Sequence, residues 1–503
     1  MTKKLALIAN LLLLVLGLAS AFAQQPNADS KQLPTKVERL NRAPINNEIL
    51  KVKLPHPQEI SLPNGLTVLV LEQHKLPVVY FGLWIRSGAL SDPQGMPGLA
   101  SFTADLLRDG TAKRSSSQIA AELDDLGATF NANAGFGENL TTMQATGLSG
   151  SADKVMELFS DIVLNPTFPA DELEKFRRQE KSGLVQLRTN PAFLARERFY
   201  QAVYRDFGAS IQSPTVDSLQ KATPELLKDF HQKYYLPNNA TMAISGDVTV
   251  AQATALAKKY FGDWKKGAVP AVKIGDVPSA SAPKIYLVDR PGSVQSNILM
   301  GGFSLRRSDP DYTSLEVVNR ILGGGSAARL FSNLREEKGY TYGAYSRITG
   351  ELFPGTFVAN TEVRNAVTDG SLHELIYELK RIRDEKTPAT ELEDAKRSIV
   401  SSFALSLENP AGIVNRWMTV KYYGLAPDYW DHYSDDIAKV DADTVQRIAK
   451  KYIDIDHLQT VVVGDAKQVR EAVAKYGDVV VFDSDGKPVE AKSGGAAQSP
   501  GSK

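Results

Sequence analysis

Cysteine is absent from all 503 residues, which excludes disulfides, thiolate metal sites and a cysteine nucleophile. Histidine is scarce. The six residues His56, His74, His231, His373, His432 and His457 include no two that stand three or four positions apart. A pair of imidazoles on one helical face is therefore missing, and each histidine reads as a surface or capping residue. A Ser-His-Asp hydrolase has equally little to draw on, since no G-x-S-x-G elbow occurs, and no Walker A sequence marks a phosphate loop. Charge of one sign is also lacking. Lys+Arg and Asp+Glu both number 58, leaving a net charge of zero and no overall basic field to hold nucleic acid or an anionic membrane. Beyond the N-terminus no run is long and apolar enough to span a bilayer, so no stable membrane insertion is expected.

The residues that are present, 43% hydrophobic and 23% charged, suit a globular chain with material for more than one core. Lys3 and Lys4 precede an apolar stretch that ends in Ala21-Phe22-Ala23, the pattern of a secretory signal peptide over 1–23. Asn10 interrupts the stretch and weakens the other reading, an uncleaved anchor. With no cysteine, a secreted protein of the bacterial periplasm fits best.

Landmarks recur in order at a nearly constant offset of about 218 residues. Ser91-Asp92-Pro93 returns as Ser308-Asp309-Pro310, Glu172-Leu173-Glu174 as Glu391-Leu392-Glu393, and Asn190-Pro191 as Asn409-Pro410. Lys233-Tyr234 returns as Lys451-Tyr452, and Gly246-Asp247 as Gly464-Asp465. The chain therefore reads as a duplicated domain. An extended lead-in covers 24–53, one domain 54–265, a linker 266–283, a second domain 284–484, and a disordered polar tail 485–503. Strands are expected at 78–88 and 459–465 from their β-branched and aromatic content. A helix is expected over 151–164, with Val155, Leu158, Phe159, Ile162 and Val163 on one face and Ser151 as its N-cap. LTVLVLE followed by VVYFGLWIRSG looks like a hairpin. The fold class is α/β (α+β): two homologous domains, each a mainly antiparallel sheet packed with helices.

With LPNGLTVLVLEQHKLPVVYFGLWIRSGALSDPQGMPGLA at the front of two such halves, the chain resembles the pitrilysin/insulinase family of zinc peptidases over nearly its whole mature length. The resemblance implies a clam-shell chamber of which this chain forms half, and a helix carrying H-x-x-E-H, whose histidines bind zinc while the glutamate polarises water. After Gly98-Leu99-Ala100 those positions hold Ser101, Ala104 and Asp105. A hydroxyl does not replace an imidazole, and alanine has no basic atom. Counting back from Asn190-Pro191 puts the family's third ligand near Leu187, where Glu180 is the only carboxylate of the neighbourhood and reads as too distant. This chain is thus expected to bind no cofactor of its own.

GGGSAARLFSNLREEKGYTYGAYS (323–346) resembles the family's C-terminal signature. Gly323, Gly324 and Gly325 form a glycine loop, Ser326 is placed to cap the next helix, and Gly339 ends it. Arg335 and Tyr342 take the positions of the pair that, by resemblance, binds substrate beside the scissile bond. Residue type alone favours a plainer reading, with Arg335 on a solvated helix face paired to Glu336 or Glu337 and Tyr342 in the core. In FNANAGFGENLTTMQATG (130–147), Asn131 and Ala132 match an edge strand that in catalytic relatives receives peptide, while Gly135 and Gly137 weaken strand pairing. The resemblance therefore implies a non-catalytic, substrate-binding subunit of a two-chain zinc metalloendopeptidase. Its partner is expected to be a homologous H-x-x-E-H subunit carrying zinc, and its substrates are expected to be peptides. The alternative is an inactive peptide-binding or assembly scaffold.

Overall fold

Runs of β-branched and aromatic residues become strands because such side chains pack well on a pleated, covered surface. In the computed structural model, which describes residues 48–272 and 274–489, twelve of them form two sheets. β1 (Gln58–Ser61), β2 (Thr67–Glu72), β3 (Val78–Ile85), β4 (Thr129–Ala134), β5 (Thr141–Leu148) and β6 (Ala240–Gly246) lie in the order β1-β2-β6-β3-β5-β4. β7 (Lys284–Asp289), β8 (Gln295–Phe303), β9 (Thr341–Ile348), β10 (Thr356–Arg364), β11 (Gln459–Gly464) and β12 (Val479–Phe482) lie in the order β12-β7-β11-β8-β10-β9. Three pairings, β2 with β6, β7 with β11 and β7 with β12, are parallel. The others are antiparallel, so the expected mixed α/β fold of mainly antiparallel sheets is found. The signal peptide (1–23), the lead-in up to 47 and the tail from 490 lie outside the described residues. Residues 485–489 fold back instead of trailing away: Val489 donates its N–H to the Val481 carbonyl at 2.8 Å.

The hairpin expected of β2 and β3 does not form, because β6 inserts between them, parallel to β2 and antiparallel to β3. Six of its seven residues are buried, and a strand apolar on both faces needs neighbours on both sides and layers above and below. Those layers come from α1 (Leu99–Asp105), α2 (Ala152–Leu164), α3 (Ala170–Thr189), α4 (Pro191–Tyr204), α5 (Tyr312–Leu322), α6 (Ala389–Leu405) and α7 (Pro410–Tyr423), with further helices between. α2 buries the expected face, Val155, Leu158, Phe159, Ile162 and Val163. Ser151 makes no side-chain cap, since a 3-10 turn over Ser149–Ser151 leads the chain into the helix. His231, read as a surface or capping residue, is buried and donates from Nε2 to the Val163 carbonyl in the last turn of α2 at 2.8 Å. Burial holds that imidazole down to about 4, hence neutral.

The repeated Asn-Pro landmark begins the two helices that lock the halves together. Asn190 Oδ1 accepts from the Ala192 N–H at 2.9 Å and Asn409 Oδ1 from the Ala411 N–H at 2.9 Å, each followed by a proline in the first turn, where its missing N–H costs nothing. α4 then packs on the second sheet, placing Phe193, Phe199, Val203 and Tyr204 in one core with Val461, Val463 and Phe482. α7 crosses the other way. Ile413, Val414, Trp417 and Met418 share a core with Leu69, Leu71, Tyr80 and Ala243 of the first sheet. Trp417 Nε1 donates to the Pro55 carbonyl at 3.0 Å, Tyr204 donates to the Pro354 carbonyl at 2.9 Å, and Tyr80 meets Asn415 at 3.2 Å. Each sheet is thus covered by helices of its own half on one face and by one borrowed helix on the other. The described residues from Ile49 onward consequently form one unit. Among the described residues no helix is long and apolar enough to cross a membrane.

Candidate functional site

The helix that carries Ser101, Ala104 and Asp105 starts where Asp92 catches its free amides. The Asp92 carboxylate accepts from Gly98 N–H at 2.7 Å and Ala100 N–H at 2.8 Å, and Gly98 enters at φ +100°, a conformation suited to glycine. Burial pushes the Asp92 carboxyl up to about 7 against those bonds. One turn of α1 then sets Ser101 and Asp105 on the same face, and the Ser101 hydroxyl donates to Asp105 Oδ2 at 3.2 Å. Ala104 points into the core and is 1% exposed.

A cavity of about 420 Å³ opens beside this face. Its walls come from Asp105, Arg108 and Asp109, from Asn131 and Ala132 on the edge strand β4, and from Glu172 and Lys175 on α3. Gly135 and Gly137 follow β4 in the loop and leave its pairing with β5 unbroken. Desolvation pushes Asp105 up to about 6, with repulsion from Glu180 and Asp109 adding to it and Ser101 opposing. Glu180 is itself raised by burial. Glu180 on α3 thus acts on Asp105 across to the α1 face. Leu187 lies two turns further along α3, part-buried among apolar side chains. The donor set still does not fit a zinc ion, which takes deprotonated or imidazole ligands. Ser101 offers a neutral hydroxyl already bound to Asp105, and Ala104 offers nothing. Among the described residues no group of three or more His, Asp or Glu is placed to hold a metal.

The second set of candidates is built around the end of α5. Gly323 accepts the Ser346 N–H at 2.9 Å, which ties the glycine loop to the outer edge of β9. Arg320 donates from Nη1 to the Gly324 carbonyl at 2.5 Å and also reaches Ser398 on α6. Ser326 does not cap the next helix. That helix, Arg329–Phe331, starts after Ala328 without a side-chain cap and runs directly into a π-helix over Ser332–Glu337. The widened turn is held from below. Buried Arg329 makes a two-point pair with Glu391, at 2.8 and 2.7 Å, and Asn333 donates to Glu374 and Glu378, both at 2.9 Å. π-turns concentrate at functional positions, and this one carries Arg335.

Gly339 turns the chain at φ +62° into β9, an edge strand. Arg335 donates from Nη1 to the Tyr342 carbonyl at 2.5 Å, lies over the Phe331 ring at 5.1 Å and meets Glu336 at 3.2 Å. The structure thus brings Arg335 and Tyr342 together, and the plainer reading of Arg335 as paired with Glu336 holds as well. Tyr342 is not a core residue. Its side chain is 87% exposed and its hydroxyl has no hydrogen-bond partner. Ser101, Ala104 and Asp105 are not joined to this pair by any hydrogen bond or ion pair among the described residues. They line the first cavity, whereas Tyr342 stands at a second one of about 640 Å³. The edge-strand pattern at Asn131 was legible in the sequence. The π-turn and the Arg329–Glu391 clamp were not, because neither has a local residue signature.

Residues 67–215 match the family described as Insulinase (Peptidase family M16), and residues 221–399 match the Peptidase M16 inactive domain. A Rickettsia felis protein named "Uncharacterized zinc protease" is 26% identical over 358 residues, 70% of this chain and 84% of that protein. A Streptomyces coelicolor protein of the same description is 24% identical over 71% of this chain and 78% of its own length. Among solved structures, a peptidase M16 inactive domain from Pseudomonas fluorescens superposes with a TM-score of 0.76 at 29% identity, covering 81% of this chain and 98% of that one. A protease from Helicobacter pylori shares the fold with a TM-score of 0.75 at 20% identity, covering 82% of this chain and all of that one.

Proposed function

The chain belongs to the insulinase-type M16 peptidase family, and from that premise we propose that it is the non-catalytic, substrate-binding subunit of an exported two-chain zinc metalloendopeptidase. The observation that carries the reading is an asymmetry between two sites of one chain. The positions of the family's two zinc-binding histidines hold a hydroxyl and a carboxylate and that of its water-polarising glutamate a methyl, while the pair assigned to substrate is assembled and one of its members is free. Zinc, and the activation of water it supplies, would reside in a homologous H-x-x-E-H partner that closes the chamber over this chain.

Within that complex the work of this chain is positioning. Arg335 is anchored on the Tyr342 carbonyl, which steadies the start of β9 and keeps one face of a permanently charged guanidinium near the chamber. The unpartnered Tyr342 hydroxyl is available to donate to a peptide oxygen as charge develops on it. Neither residue needs a metal of its own. The N-terminal signal pattern supports export, with the bacterial periplasm as the compartment.

The test is reconstitution. The mature chain alone should show no peptidase activity, and mixing it with an H-x-x-E-H partner should generate activity. Tyr342→Phe or Arg335→Ala should then lower turnover by at least about tenfold, the scale of losing one oxyanion donor. Undiminished turnover in both variants would return the pair to a structural role. Chelator-sensitive activity of the isolated chain would overturn the division of labour itself.

A further inference from the structure

The largest of the clefts around the candidate residues is not the one beside Asp105. It is the groove of about 640 Å³ on the open face of the second sheet, beside Tyr342, where borrowed helix α4 covers the inner strands and leaves β9 and β10 bare. We propose that this groove binds an extended peptide segment bearing carboxylates, and that it does so in this chain without the partner.

The groove's chemistry is that of an unfilled recognition surface. α4 turns Arg196 and Tyr200 toward it, four residues apart on one helical face. Across from them Arg347 stands on β9 and shares its face with Tyr345. Among the described residues the Arg347 side chain makes no ion pair or hydrogen bond, and the contact of the Arg196 side chain is the Phe193 ring at 5.5 Å. Two guanidinium groups thus face one groove whose lining holds a single carboxylate, Glu362. Guanidinium groups are normally matched to carboxylates in planar two-point pairs. Both are exposed and solvated in the free chain, and a carboxylate that joins them would come from outside the fold.

A second, independent observation lies in the floor. Asn297 on β8 is only 8% exposed, yet its amide has no hydrogen-bond partner and lines the groove. A side chain held by burial whose amide opens only onto the groove is free to bond to a ligand's peptide group. Gln295 and Asn360 add two more amides without side-chain partners on the same floor, a set of donors and acceptors suited to a peptide backbone. The bound chain would be read by these side chains and not by strand addition. The outer edge of β9 is already partly used, its Ser346 N–H by Gly323 and its Tyr342 carbonyl by Arg335. Tyr200 and Tyr345 supply flat walls for the intervening side chains.

The experiment uses the full mature chain, unpartnered, and fluorescently labelled peptides of one length read by anisotropy. One carries Asp and Glu with an amidated C-terminus, one is its Asn and Gln isostere, also amidated, and one is that isostere with a free C-terminal carboxylate. The acidic amide, the free-carboxylate peptide, or both should bind at least about tenfold more tightly than the neutral amide, as expected for a charge-assisted contact. Which of the two does so identifies side-chain or terminal carboxylates as the source. The Arg196→Gln/Arg347→Gln double variant should abolish that preference while leaving the neutral peptide within about twofold, and Arg347→Lys should retain part of it. Equal affinity for all three peptides, or a preference that survives the double variant, overturns the proposal. Failure here would leave the reconstitution test of Arg335 and Tyr342 untouched, because that test depends on the partner and this one does not.

Discussion

Replacing Gly323 by alanine isolates the glycine loop from the side chains it positions. A Cβ at this residue would lie 2.3 Å from the Ser346 nitrogen, 2.6 Å from Ser346 Oγ and 2.8 Å from the Tyr345 carbonyl carbon. The backbone φ of −158° is open to any residue, so the cost is steric and not conformational. Ordinary contacts begin near about 3.5 Å, and β9 would have to retreat at Tyr345 and Ser346 by about 1 Å. That movement breaks the Gly323 to Ser346 backbone bond of 2.9 Å and strains the Ser346 to Asn319 bond of 2.8 Å. Overpacking costs about 1–3 kcal/mol and a lost hydrogen bond about 0.5–1.5, which together predict a destabilisation of about 2–4 kcal/mol for Gly323→Ala. Gly325→Ala is the internal control. Its Cβ would come within 3.3 Å of Arg320 Nη1, the end of a flexible side chain, and the change should stay within about 0.5 kcal/mol. Urea denaturation of the full chain measures both. In the reconstituted enzyme the same displacement would move Tyr342, and a misplacement of about 1 Å can cost about 10²-fold in rate. A Gly323→Ala chain as stable as Gly325→Ala would refute the reasoning.

Two further outcomes follow from contacts between the halves. Burial first, and repulsion from Glu138 second, push the Glu351 carboxyl up to about 7, while the Tyr423 hydroxyl opposes by donating to it at 3.2 Å. A folded pKa above the ordinary 4.5 penalises the native chain only once the carboxyl would ionise, so the penalty is absent below about pH 4.5 and complete above about pH 7. Glu351→Gln should therefore match wild type near pH 4 and exceed it near pH 8.5 by up to about 3 kcal/mol; melting curves showing a pH-independent difference would contradict this. Asn190→Ala and Asn409→Ala each remove an N-cap from an interlocking helix and should each cost about 1 kcal/mol, with the double variant close to the sum. Either single variant proving neutral by denaturation would show that packing alone sets that helix start.

The duplication was legible because its landmarks do the same local job twice. Asn190-Pro191 and Asn409-Pro410 cap helices of equal standing, and the residue types that do this are few. The periodicity of α2 was legible for a similar reason, since one face alone meets the sheet. Periodicity names an apolar face but not what covers it. Phe193 and Phe199 announce a buried side of α4, and nothing in their spacing says that the cover is the other half's sheet. The same limit hid the insertion of β6 between β2 and β3, a pairing such as Ile85 with Ala240 made by residues far later in the chain, where local turn signals carry no information. Ser151 failed as a cap because a 3-10 turn took over the chain's entry there, and Ser326 because it lies in a turn and the helix starts only at Arg329.

The repeat also explains why one chain can hold a degenerate site and an assembled one. Glu172 and Glu391 occupy the same landmark, yet Glu172 lines the acidic cavity and pairs with Lys175 at 2.9 Å, while Glu391 grips buried Arg329 at 2.8 and 2.7 Å and so braces the π-turn beneath Arg335. In the same way Asp92 feeds the start of α1, whereas Asp309 accepts from the Asp311 N–H at 2.9 Å near the start of α5. Duplication preserves the scaffold residues that every copy needs and frees the rest to diverge. Nothing in the scaffold calls for imidazoles on the α1 face of the first half, because Ala104 packs in the core and the Ser101–Asp105 bond satisfies the polar pair. The second half was under the opposite constraint. Its glycine loop, π-turn and β9 are coupled by backbone hydrogen bonds and a buried ion pair, so Arg335 cannot drift without loosening Tyr342. A site built on such coupling is kept as a unit or not at all, and that is the reason the proposed division of labour assigns Arg335 and Tyr342 to this chain and zinc to a second polypeptide.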